Sequence, residues 1–74
     1  MKTYEMNRKT VVQDNRYEYD GSDHMIYHGI HDTASVATSD GLWLIWKYTW
    51  TGTLVTRIQG PLKGSWDNRA SLPW

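Results

Sequence analysis

The chain has 74 residues, eight Lys and Arg against eight Asp and Glu, no Cys, no Phe, five Trp and five Tyr. Without Cys there is no disulfide framework and no Cys-based zinc or iron–sulfur site, and the neutral balance removes the clustered cations that tight binding to nucleic acid or acidic membranes requires. At this length a folded monomer buries only roughly 60% of the surface its unfolded chain exposes, so one marginal domain is expected, with no large enzymatic cleft. Ile, Leu and Val together number thirteen. Disorder needs weak hydrophobicity together with strong self-repulsion, and the charge here is zero, so a folded module that depends on aromatic burial is expected. A neutral chain is also weakly protected against self-association.

Residues 1–23 are polar, with Val11-Val12 as their one aliphatic pair and a turn cluster, Asp20-Gly21-Ser22-Asp23, at their end. They read as an extended N-terminal arm, either one that Tyr4, Tyr17 and Tyr19 pin to a surface or a solvated tail. Tyr17-Glu18-Tyr19 alternates as an edge strand does. No leader or membrane-spanning run is visible, so a soluble, cytosol-like setting is expected. The domain proper spans residues 24–74. It opens with a short strand, His24-Met25-Ile26-Tyr27-His28-Gly29-Ile30, followed over 31–41 by a small, hydroxyl-rich loop ending in the turn Thr38-Ser39-Asp40-Gly41.

Leu42 to Trp50 and Thr53 to Gln59 are β-favouring runs with Thr51-Gly52 between them, which predicts a β-hairpin. Alternation places Leu42, Leu44, Trp46, Tyr48 and Trp50 on one face and Trp43, Ile45, Lys47 and Thr49 on the other. Neither face is plainly polar, and a chain this short can hardly cover both, so part of the aromatic surface is expected to meet another protein chain. Gly60-Pro61 should end the second strand because proline donates no ladder hydrogen bond. After it, Ser65 or Asp67 caps one helical turn anchored by Trp66 and Leu72, Asp67 and Arg69 form a local ion pair or cap, and Trp74 is a plug for a neighbour's pocket. The fold class is all-β: a small sandwich or partly open barrel built on the hairpin, with an extended N-terminal arm.

Chemistry is sparse. His24, His28 and His31 with Asp23 and Asp32 are the one cluster of ligand-type residues, but a strand puts His31 on the face away from His24 and His28. No strained elbow surrounds a Ser, no paired carboxylates stand at acid–base spacing, and Gly60-Pro61-Leu62-Lys63-Gly64 lacks the spacing of a phosphate loop. The expectation is no enzyme, no metal and no cofactor. Stacking of nucleic acid or sugars on the Trp residues near Lys47, Arg57 and Arg69 is the competing reading, and the charge balance disfavours nucleic acid.

Thr38-Ser39-Asp40-Gly41-Leu42-Trp43-Leu44-Ile45-Trp46-Lys47, a turn and second strand, and then Trp66-Asp67-Asn68-Arg69-Ala70-Ser71-Leu72 resembles a pattern in small structural proteins of tailed bacteriophages. The match covers roughly residues 24–74. The polar arm lies outside it, and Pro73-Trp74 departs from the hydroxyl and Tyr residues expected at its end. The resemblance implies a virion component assembled in the host cytoplasm, with no chemistry of its own: a multi-copy adaptor or attachment protein of the neck or tail, or alternatively a capsid decoration protein. A carbohydrate-binding module using exposed Trp is the alternative of a different class. The expected interface residues are Tyr17, Tyr19, Trp43, Trp46, Trp50, Trp66, Arg69 and Trp74, and the expected partners are further copies and other virion proteins, not membrane or nucleic acid.

Overall fold

A computed structural model describes residues 13–74 and forms one four-stranded antiparallel sheet. The strands are β1 (Asp14–Tyr19), β2 (Met25–His31), β3 (Trp43–Thr51) and β4 (Leu54–Gly64), followed by a 3-10 helix, Trp66–Ser71. Their order in the sheet is their order in the sequence, β1-β2-β3-β4, so each strand pairs with the next. The protein is all-β, and the sheet stays open without closing into a barrel. Asp14–Tyr19, assigned above to the arm, is therefore an edge strand paired to β2, with Tyr17 opposite His28. Residues 1–12 of the expected arm lie outside the described residues.

The hairpin turns at Gly52-Thr53, since Thr51 pairs with Leu54. Gly52 takes φ 61°, the backbone region required at the first central position of a type II′ hairpin turn, where a side chain would be strained. The second strand does not end at Gly60-Pro61. It continues to Gly64, because Ile45 pairs with Leu62 and Lys47 with Gln59, leaving Gly60 and Pro61 together opposite Trp46 as a bulge. Pro61 thus falls in the bulge, where the ladder is already interrupted, on an edge strand of the described sheet, and Gly60 accepts φ 118°.

Burial is one-sided. Among the described residues the fully buried apolar side chains are Trp43 and Ile45, joined by Trp66. The loop 32–42 and the C-terminal segment cover this core face, with Val36, Leu72, Tyr27 and Trp74 packed round its rim. Gly29 sits on β2 under the Trp66 ring, where a Cβ would stand 2.7 Å from Trp66 Cε3. The strand thus gives up a side chain so that the helix can lie against the sheet. Ser65 caps that helix, its hydroxyl accepting from the Asn68 N–H at 3.3 Å. Trp43 ties the loop down by donating its indole N–H to the Ala37 carbonyl at 3.1 Å, and the Asp67 N–H donates to Thr38 O at 3.1 Å.

Candidate functional site: the outer sheet face

Strand alternation and register place Asn15 and Tyr17 of β1, His28 and Ile30 of β2, Leu44, Trp46, Tyr48 and Trp50 of β3, and Ile58 and Lys63 of β4 on the face opposite the core. No element of the described chain crosses this outer face. Two cross-strand rows give it structure. Asn15, Ile30, Leu44 and Lys63 run across the sheet as successive partners, and beside them run Tyr17, His28 and Trp46. The His28 ring lies flat on Tyr17 with centroids 4.7 Å apart and 7° between planes, and its other side meets Trp46 at 5.5 Å. Asn15 Oδ1 lies 3.3 Å from His28 Nε2. Burial between these rings pushes the His28 pKa down, favouring the neutral imidazole.

The apolar content of this face is large for a surface facing water. Leu42 is 61% exposed, Ile58 59% and Tyr17 51%, with Leu44 and Val55 also exposed. Ile30, Leu42 and Leu44 line a shallow depression closed by Gln13, Asp32 and Lys63. An antiparallel sheet with one solvated side ordinarily shows polar residues there, and apolar patches of this kind mark protein–protein or ligand surfaces.

The expected interface residues divide between the two faces. Tyr17 and Trp46 meet across His28 on the outer face, and Trp50 lies on that face at the far end of β3, stacked on His24 at 4.2 Å with its indole N–H donated to Met25 O at 2.8 Å. Tyr19 is exposed at the end of β1. Trp43 and Trp66 do not belong with them: their centroids lie 6.2 Å apart inside the core, where no partner can reach Trp43, whose exposure is 0%. Arg69 is also committed internally. Its Nε donates to Glu18 Oε1 at 2.7 Å, its Nη1 to Trp66 O at 2.9 Å, and its guanidinium lies 4.6 Å from the Trp66 ring. This pairing with β1 replaces the local pair expected with Asp67. Trp74 folds back onto its own sheet instead of projecting as a plug, packing on Tyr27 and donating its indole N–H to Arg69 O at 2.7 Å. Sequence alternation alone missed these roles because a turn of helix after β4 carries the chain back over the core face.

The histidines are separated. His31 is buried on the core face, where Nδ1 accepts from the Thr33 N–H at 3.0 Å and Nε2 donates to Asp40 Oδ2 at 2.8 Å. Asp40 also accepts from the Leu42 N–H at 3.0 Å, and these two donors hold its carboxyl below the usual carboxylate value. His31 and Asp40 thus pin both ends of the loop 32–42. Among the described residues no group of three His, Cys, Asp or Glu side chains is placed to hold a metal ion, and no helix is long and apolar enough to cross a membrane. Comparison with family models, curated proteins and solved structures found no match.

Proposed function

We propose that the protein is a multi-copy structural component of a tailed-phage virion, an adaptor or attachment protein of the neck or tail that works through protein–protein interfaces. The observation that carries this reading is the outer face, which no other described element covers and where Tyr17, Ile30, Leu44, Trp46, Tyr48 and Ile58 share one side of a sheet whose other side holds the core of the described residues. The resemblance of residues 38–47 and 66–72 to phage structural proteins supplies the setting. The mechanism is burial: at about 25 cal/mol per Å² of apolar surface, covering such a face contributes several kcal/mol before association costs, and repeated copies add avidity. Sugar binding through Trp platforms has less support, because Trp43 and Trp66 are internal and Trp46 and Trp50 each have a ring face occupied by a histidine.

Quantitative mass spectrometry of purified particles tests the proposal. The chain should be present at fixed stoichiometry, and Leu44→Asp on the outer face should reduce it. Incorporation of Leu44→Asp at the wild-type level removes the outer face as the interface.

A further inference from the structure

We infer that the occupant of the outer face is a second copy of this chain, so that two sheets pack face to face into a two-layer sandwich with His28 and Trp46 at its centre. This rests on the reading of the outer face as a protein interface and names its partner.

Area gives the first argument. Four strands spaced by about 4.8 Å, with some seven to nine residues rising about 3.4 Å each, present a face of roughly 500 Å² in projection. Side-chain relief raises its accessible area toward the roughly 800 Å² per partner of a standard interface. A sheet of this size is therefore the right extent for one other sheet, at the face-to-face spacing of about 10 Å seen in sandwiches.

Charge placement gives the second. A two-fold contact sets a patch against itself, so a charged centre would repel its own copy. The centre here carries no charge: the middle of one row is Ile30 and Leu44, the middle of the next His28 and Trp46. Lys63 stands at the end of the first row, with neutral Asn15 at the opposite end. Turning one copy about an axis along the strands lays each row on itself in reverse order. Ile30 then meets Leu44, His28 meets Trp46, and Lys63 meets Asn15 and not another Lys63. Asp32, which lines the same depression as Lys63, is 93% exposed and lies near that contact to receive the cation.

Sedimentation equilibrium of the full chain tests this. The wild type should sediment as a dimer. Leu44→Asp, and separately Leu42→Asp on a side chain already mostly in water, should raise the dimer dissociation constant at least about tenfold while near-ultraviolet dichroism of the core Trp residues stays unchanged. Asn15→Lys should weaken the dimer by opposing Lys63, and adding Lys63→Glu should restore it. A wild-type chain that is monomeric at all concentrations overturns the second-copy assignment. If particle incorporation still depends on Leu44 in that case, another virion protein occupies the face and the proposed function stands. A dimer indifferent to both Leu substitutions overturns the assignment too, and failure of the Asn15/Lys63 pair to recover overturns the reversed-row arrangement.

Discussion

Gly29→Ala probes whether the C-terminal helix lies on the sheet as described. The new Cβ would stand 2.7 Å and 2.8 Å from Cε3 and Cζ3 of Trp66, and 3.4 Å from Cε3 of Trp43. Carbon atoms reach optimal separation at about 3.5–4.0 Å, so the Trp66 ring must retreat by about 1 Å. It has little room, since it is 7% exposed and its helix is capped at Ser65 and bonded to the loop through Asp67. Overpacking of this kind costs about 1–3 kcal/mol, against a backbone gain of roughly 0.5–1 kcal/mol for replacing a strand glycine with alanine. The net expectation is a loss of about 1–2 kcal/mol, or a fall in Tm of roughly 5–15 °C for a domain of this size. Thermal melts followed by Trp fluorescence measure it. The double variant Gly29→Ala/Trp66→Leu should recover part of the overpacking cost relative to the two single changes added together, as two groups in contact do. A Gly29→Ala protein as stable as the wild type would refute the packing of Trp66 against β2.

Further expectations concern the remaining ties. Glu18→Gln breaks the ion pair between β1 and the helix; with both side chains partly exposed, the loss should be no more than about 1 kcal/mol in urea unfolding, shrinking as salt is added. An unchanged midpoint at low salt would show that the ion pair adds nothing to the ladder and the Tyr17–His28 stack that hold β1. Asp40 has its folded pKa depressed below the ordinary 3.8, so its contribution is present above that value and lost as the pH falls through the lower folded one. The amide resonances of Thr33 and Leu42 should report this acid transition, and Asp40→Asn should abolish it; a transition that survives the substitution belongs to another group. Removing Pro73-Trp74 deletes the Trp74 contact with Tyr27 and the bond from Gln59 Nε2 to the Trp74 main-chain oxygen at 3.2 Å. For a half-buried Trp this should cost about 1–2 kcal/mol of stability in urea unfolding, whereas a pure plug for a neighbour would leave stability untouched.

Much of the sheet was legible because its signals are local. The β-favouring runs either side of Gly52 define the hairpin, alternation from Leu42 to Trp50 sorts the two faces as observed, and of the two candidate caps, Ser65 and Asp67, it is Ser65 that opens the helix. Pro61 misled because its effect depends on strand position: a missing donor breaks a regular ladder but is tolerated in a bulge, and Gly60-Pro61 forms one opposite Trp46. Division of the aromatic residues into core and surface was less accessible. Trp43 and Trp46 look alike in sequence, and only the return of the C-terminal segment over one face decides which is enclosed. Arg69 lies 51 residues from Glu18, a separation that no short-range pattern reports. Gly29 reads as one more residue of the strand 24–30 until Trp66 is found above it.

Assembly through the outer face is most directly tested by an electron cryo-microscopy map of the intact particle that contains this chain. Density for another polypeptide is expected against Tyr17, His28, Leu44 and Trp46, with the loop and helix on the core face arranged as described. A map in which that face is open to solvent while the core face or the sheet edges make the contacts would contradict it.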